Sequence, residues 1–321
     1  MISRRDWLAG TTGALAWAKF AKGSLEPKDT SRIFASIRFA HDHGKNGVYA
    51  IDPEEGSWTQ IGQTYVSQAR VSPDGKLLAW SKQSDQGVHE GILLRDLSGE
   101  ETPLTKRAGR VCWSPDGSEL IVSRAESDMG EEKSLAGTWR VIVKTGREMK
   151  MNVPTTVQIV DWSSDGKTLL ALADQEGRAI RRRPLIAIDI DGKTRRTIFE
   201  DKVTTHNHSF FPDGRRAFLI ISHTNERGLY NAFEAWSINL DGTNRVRFFD
   251  ALEGDLEPAG LRCSPDRKSF AAVVWPFTRD KNGEKTLDPS LTSLAIIDRD
   301  GKKVRKIELP PASTIGLIDW R

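Results

Sequence analysis

Six histidines, two cysteines and one cluster of arginines are the residues of this 321-residue chain whose types and spacing could do chemistry. His206 and His208 are one residue apart, so a strand would set both side chains on one face. Two neutral imidazoles in that arrangement can hold a divalent metal. Arg178, Arg181, Arg182 and Arg183 make the one basic cluster, which suits a carboxylated glycan or an acidic protein; Asp174 and Glu176 beside it equally fit a plain solvated loop. Cys112 and Cys263 are too few for a disulfide scaffold or a four-thiolate zinc site. The sequence has no phosphate-cradling glycine loop, no Cys-x-x-Cys pair and no Gly-x-Ser-x-Gly nucleophile elbow. What the remaining candidates can do rests on the elements that hold them.

Those elements announce themselves as an internal repeat. Val71–Trp80 (VSPDGKLLAW) returns as Trp113–Val122 (WSPDGSELIV), Trp162–Ala171 (WSSDGKTLLA), Phe210–Leu219 (FFPDGRRAFL) and Cys263–Ala272 (CSPDRKSFAA). The aspartates of the phrase, Asp74, Asp116, Asp165, Asp213 and Asp266, are 42, 49, 48 and 53 residues apart. Each copy reads as a short apolar strand, a tight turn and a second apolar strand. Proline presets φ, aspartate hydrogen-bonds nearby backbone, and glycine accepts positive φ. Asp266-Arg267 lacks the glycine, so that turn is expected to be strained or differently shaped. A second phrase alternates with the first: Val48–Gly56, Ile92–Gly99, Trp139–Gly146, Ile186–Gly192, Trp236–Gly242 and Leu294–Gly301 each end a strand in an acidic or glycine turn. Two hairpins per ~45 residues make a four-stranded blade, and repeated blades make a β-propeller.

The second phrase occurs six times and the first only five. Thr314–Trp320 (TIGLIDW) repeats Val157–Trp162 (VQIVDW) and then stops, while Arg32–Arg38 (RIFASIR) lacks an inner partner. The expectation is an all-β fold, a six-bladed β-propeller with four antiparallel strands per blade over residues 32–321, closed by the C-terminal strand joining the N-terminal blade. Closure of that kind leaves few open edges. The tryptophans at 113, 162 and 320 hold equivalent strand positions and belong to the core.

The Trp-Ser-Pro-Asp-Gly phrase resembles the repeat of TolB-type, WD-repeat-like propellers, over nearly all of residues 32–321. The TolB pattern also includes a separate N-terminal α/β domain, for which there is no room here. The repeat also occurs in prolyl oligopeptidases, whose hydrolase domain and nucleophile elbow have no counterpart in this sequence. Oligogalacturonate lyase is similar in repeat type and uses histidines and a glutamine at its axis for metal. A propeller by itself implies little about activity.

In such a blade, strands a to d run outward from the axis, with the a–b and c–d turns at one end. The b–c segments at the other end are long and varied: Ala40–Asn46, Gln83–Glu90, Ala125–Thr138, Asp174–Pro184, His223–Phe233 and Pro276–Leu291. Variable loops on a rigid scaffold are where binding usually resides. Arg181, Arg182, Arg183, His41, His43 and Asn207 are the expected ligand or partner face. His206 and His208 open an innermost strand, His223 ends the next strand, and Gln158 occupies in its blade the place of His206. These four are the candidate metal set. The alternative is structural packing, since His208 has Val111, Val160, Leu261 and Ile318 as its counterparts. A second register, Arg70, Cys112, Asp161, Ser209, Arg262 and Asp319, rings the axis. There an Arg262–Asp319–Arg70 network would lock the closing strand, with a channel anion site as the functional alternative. Cys112 and Cys263, three blades apart, are too distant for a disulfide.

Charge gives the last constraint. The chain has 47 basic and 44 acidic residues, a formal +3. Residues 1–22 hold Arg4, Arg5, Lys19 and Lys22 against Asp6, so the rest balances at 43 of each and gives nucleic-acid binding no support. Ser3-Arg4-Arg5-Asp6-Trp7-Leu8 resembles a twin-arginine export signal, ahead of a weakly apolar stretch. The alternative is an N-terminal amphipathic helix packed on the domain. Residues 1–22 are thus expected to be a leader and 23–31 a linker, with a periplasmic or other extracytoplasmic destination. No run approaches the ~20 apolar residues of a membrane span. The expected protein is a monomeric, non-enzymatic binding or scaffold module for a protein or cell-envelope ligand, with no cofactor. The alternative is a metal-dependent enzyme, similar to oligogalacturonate lyase, acting on acidic carbohydrate.

Overall fold

The structure, a computed structural model, describes residues 31–39, 42–62, 69–83, 89–96, 98–124, 136–173, 183–200, 204–211, 213–226, 228, 230–248, 256–279, 281, 283, 285–288, 291–299, 301–309 and 312–321. For residues 43, 82, 83, 89, 90, 204–206, 230, 285, 312, 313, 317 and 318 the backbone alone is described. The expected leader and all but Ser31 of the expected linker lie outside the described residues.

Among the described residues, twenty-five strands form six sheets. The first blade holds β1 (Ile33–Phe39), β2 (Gly47–Ile51) and β3 (Trp58–Gly62). The second holds β4 (Arg70–Val71), β5 (Leu77–Gln83), β6 (His89–Asp96) and β7 (Glu101–Thr105). The third holds β8 (Arg110–Trp113), β9 (Glu119–Arg124), β10 (Gly137–Ile142) and β11 (Glu148–Lys150). The fourth is β12 (Val157–Trp162), β13 (Thr168–Ala173), β14 (Leu185–Asp189) and β15 (Arg195–Phe199). The fifth is β16 (Thr204–Phe210), β17 (Arg216–Thr224), β18 (Tyr230–Asn239) and β19 (Val246–Arg247). The sixth is β20 (Leu256–Cys263), β21 (Ser269–Arg279), β22 (Lys285–Leu287), β23 (Ser293–Asp298) and β24 (Val304–Ile307). The last strand, β25 (Ala312–Trp320), returns to the first blade and pairs antiparallel with β1 from Ile33 opposite Trp320 to Phe39 opposite Ala312. The strands β4, β8, β12, β16, β20 and β25 touch one another in cyclic order, closing a six-bladed propeller. This is the ring and the seam that the repeat predicts.

The core lies between the blades. Six apolar clusters are present among the described residues, one at each interface between neighbouring blades. Because both faces of a blade are covered, its second strand carries a run of consecutive apolar residues through its middle. In β13, Leu169 and Ala171 join the cluster shared with the third blade, whereas Leu170 and Leu172 join the one shared with the fifth. A one-residue slip would exchange the two sets and misfit both interfaces. The equivalent tryptophans are buried as expected, and the Trp113 indole N–H bonds the carbonyl of Arg70 in the preceding blade at 3.0 Å.

The repeated turn owes its shape to a residue the sequence reading passed over. Buried Ser114 accepts from the Glu119 N–H at 2.9 Å and donates to Asp116 at 2.6 Å. Ser72, Ser163 and Ser264 do the same with their own aspartates. The fourth copy has Phe211 instead, and Asp213 takes the Arg216 guanidinium. Arg267 adopts φ 64°, close to the 72° of Gly75 and Gly117. That turn is therefore strained but not differently shaped, because its Arg267 N–H still reaches the Ser264 carbonyl at 3.0 Å. Sheet extends into several of the expected b–c segments: β21 runs on through Arg279 and pairs with β22, and β18 begins at Tyr230.

Two predictions follow from the turns. Hydrogen bonds, first of all from the neighbouring serine hydroxyls, hold Asp116, Asp165 and Asp266 below the ordinary aspartate value of 3.8. Their stabilisation is complete above that value and is lost as pH falls through the depressed ones. Acid unfolding followed by tryptophan fluorescence should therefore begin below pH ~4, and a Ser114→Ala/Ser163→Ala/Ser264→Ala variant should show a smaller acid-dependent loss. Arg267→Gly should gain up to about 1 kcal/mol in denaturant titration, while Gly166→Ala at φ 74° should lose about 1–2 kcal/mol.

Candidate functional site

At the loop end of the ring, two groups singled out separately in the sequence meet. Gln158, on the innermost strand of the fourth blade, is 1% exposed. Its side-chain oxygen accepts from Arg183 Nη2 at 2.9 Å. Arg183 lies just before β14, so it reaches across β13 to the axis-side strand. The described member of the basic cluster is thus anchored at the inner rim, and the oxygen expected to serve a metal already faces a cation. Arg181, Arg182 and His41 lie outside the described residues; His43 forms part of a single 3-10 turn, His43–Lys45, with its side chain outside them.

The histidine pair sits in an irregular stretch. His206 opposes Ile220 and Ser209 opposes Phe218, so β16 carries one residue more than β17 between those pairs. Asn207 in this bulge has φ 52°. The bulge interrupts the alternation on which a shared face for His206 and His208 was based. His208 is 9% exposed and lines an axial cavity; the His206 side chain lies outside the described ones. Asn207, expected on the partner face, instead takes a hydrogen bond from Arg262 Nη1 in the next blade. His223 lies at the far end of β17, its Nε2 3.6 Å from Glu234 Oε2, beside Trp236 Nε1 at 2.9 Å from that same oxygen. Among the described residues no three His, Cys, Asp or Glu side chains are grouped to hold a metal.

The second register comes together as expected. Arg70, Cys112, Asp161, Ser209, Arg262 and Asp319 all line one cavity of about 420 Å³. Its wall includes Pro73, Pro115 and Pro265 of three repeat turns, which places it at the tight-turn end of the axis. Burial pushes the Asp161 carboxyl up, against the Phe210 N–H at 2.7 Å and the nearby charge of Arg70. Asp161 thereby ties the fourth blade to the fifth. The anticipated Arg262–Asp319–Arg70 network does not form. Asp319 pairs with Arg321 at 2.7 Å, a residue on its own strand end and so already within reach. Arg70 donates to the carbonyl of Ala69 at 3.0 Å, and Arg262 to that of Leu261 at 2.9 Å. Burial, reinforced by the like charge of Arg70, lowers Arg262 to about 10, so it stays charged at neutral pH. Cys112 and Cys263 are free thiols; burial raises both, Cys263 to about 11.

No protein-family profile and no curated protein sequence matches the chain. Solved structures do. A TolB candidate from Agrobacterium tumefaciens matches with a TM-score of 0.56 and 19% identity, over 90% of this chain and 91% of that one. TolB from Acinetobacter baumannii matches with a TM-score of 0.60 and 14% identity, over 90% of this chain and 66% of that one. The fold is that of the TolB propellers. Oligogalacturonate lyase from Vibrio parahaemolyticus shares it at a TM-score of 0.52 and 14% identity, over 86% of this chain and 78% of that one. No described helix is long and apolar enough to cross a membrane.

The Arg183–Gln158 contact in this TolB-like ring makes a measurable prediction. A double-mutant cycle on Gln158→Leu and Arg183→Met should return a coupling of about 1–3 kcal/mol in denaturant titration, as for a partly buried charge-assisted hydrogen bond. A coupling near zero would mean that the arginine hangs free in solution.

Proposed function

We propose that this chain is a non-enzymatic binding module, exported through a twin-arginine leader, that docks a protein or cell-envelope ligand on its long-loop face. The observation that carries this reading is the Arg183–Gln158 contact. It fixes Arg183, the described member of the basic cluster, at the inner rim of a rigid ring, where a flat or protruding acidic partner would meet it. The tight turns at the other end spend their polar groups on themselves, as the serine–aspartate hydrogen bonds illustrate. The periplasmic or extracytoplasmic destination rests on Arg4 and Arg5 within the leader-like segment and on the neutral balance of the remainder.

The second reading, a metal-dependent enzyme acting on acidic carbohydrate through His206, His208, His223 and Gln158, draws on the likeness to oligogalacturonate lyase, one structure of which is a complex with manganese. It ranks second because Gln158 accepts from a guanidinium and His223 faces Glu234. Unit manganese stoichiometry in purified protein, lost in His206→Ala, would reverse that order.

Site-specific photo-crosslinking tests the first reading. A crosslinker at Arg183 or Thr224, at the loop end, should trap a discrete envelope adduct in a twin-arginine-competent bacterial host. The same crosslinker at Lys193 or Asp241, in c–d turns, should not. Adducts from the turn positions alone would overturn the assignment of the face. Arg4→Lys/Arg5→Lys should keep the protein in the cytoplasm with its leader uncut, and a normally exported double variant would overturn the route.

A further inference from the structure

The axial cavity at the tight-turn end plays no part in the loop-face reading, and its chemistry is specific. Arg70 and Arg262, of one register, line this cavity together; burial first, and then the charge of Arg70, lower Arg262, while Asp319 and Asp161 raise it. The carboxylate expected to separate them, Asp319, is taken by Arg321. Asp161, the other acid in the wall, is tied to the Phe210 and Trp162 N–H groups. Among the described residues Arg70 has no ion pair; its one hydrogen bond is to the adjacent carbonyl of Ala69. Arg262 Nη1 donates to both the Asn207 side-chain oxygen and the Leu261 carbonyl, which fixes that end of its guanidinium. The fold does not require charge at this register, since Cys112 and Ser209 hold the same position in two other blades.

We propose that this cavity is an anion site that takes a single carboxylate on an organic body, held between the guanidinium groups of Arg70 and Arg262. A carboxylate fits better than a phosphate for two reasons. The five charged residues in the wall, Arg70, Arg262, Arg321, Asp161 and Asp319, leave an excess of only one positive charge, which matches a monoanion. The remainder of the wall is largely apolar, with Val160, Phe210, Pro73, Pro115 and Pro265, which suits an organic body rather than a compact polyanion. Planar guanidinium groups give a carboxylate two-point contact. About 420 Å³ admits a small carboxylic acid or the last residues of a peptide. The same end-group chemistry serves both sources.

Calorimetric titration of the full chain distinguishes them. The probes are propionate, N-acetyl-trialanine with a free C-terminus, the same peptide as its C-terminal amide, and inorganic phosphate. Saturable binding of a free acid, at least tenfold tighter than the amide and than phosphate, is the expected result. Propionate binding as tightly as the peptide identifies the small acid as sufficient; the peptide binding and propionate not identifies a chain end. Arg70→Gln should weaken the free acid at least tenfold while its melting temperature and its loop-end crosslinking remain those of the parent. Arg262→Lys, which keeps the charge and loses the planar fork, should weaken it less than Arg70→Gln does. Equal binding of acid and amide, preference for phosphate, or no saturable binding of either acid up to about 10 mM would overturn the site. Loss of loop-face adducts with the anion site intact would instead count against the docking reading alone.

Discussion

Everything in this molecule depends on the seam between β1 and β25. The innermost strand of the first blade comes from the last ten residues of the chain, and the backbones of Arg32 and Arg321 exchange hydrogen bonds beyond the sheet itself. Trp320 also donates to Ser31. Ile315 and Trp320 belong to the apolar cluster that joins the sixth blade to the first, and β25 touches both β20 and β4. Until the C-terminus arrives, two of the six interfaces are incomplete. The contact carrying the greatest sequence separation is therefore also the one that makes the ring cooperative. A ring that closes only with β25 cannot complete its core until that strand has joined the first blade.

Closure makes the two ends of the ring chemically unlike. At the turn end, serine, aspartate and glycine satisfy one another within a few residues, so the surface is stiff and its polar groups are largely committed. At the loop end, connections of different length and composition leave the rim, and one of them folds Arg183 back onto Gln158. The sixth blade stretches the same connection into sheet by pairing β21 with β22. One architecture thus presents a uniform face and a varied one, and the difference arises from the length and composition of the connections.

The repeat made the ring, its blade count and its seam legible, because each depends on local phrases that recur: the Asp-Gly turns, the second-strand apolar runs, and the match of Thr314–Trp320 to Val157–Trp162. The axial register was legible for the same reason, since Arg70, Cys112, Asp161, Ser209, Arg262 and Asp319 follow from aligning the phrases. What the sequence hid was non-local. The bulge at Asn207 breaks the period of two, and its side chain is engaged by Arg262 of the neighbouring blade, 55 residues away. The pairing of Asp319 with Arg321 rather than with Arg70 or Arg262 is a choice among near-equivalent partners that spacing does not rank. The role of the turn serine was visible in four of the five phrases and was missed because proline, aspartate and glycine already accounted for a turn.

Those non-local choices also decide what the axis can do. Charges gathered in a partly buried space are costly unless each finds a partner, and an Arg–Asp–Arg ladder would have been the economical arrangement. The ring does not adopt it. Asp161 is spent on the N–H of Phe210, where it binds two blades together, and Asp319 is spent on a residue of its own strand end. Arg70 and Arg262 line the same cavity, where the charge of Arg70 lowers Arg262 and the charges of Asp319 and Asp161 raise it. Serine or cysteine at this register serves the fold equally in the third and fifth blades, so the arginines are not there to hold the ring shut. The arginines are instead what gives the axial cavity its excess of positive charge, three guanidinium groups against two carboxyls in its wall.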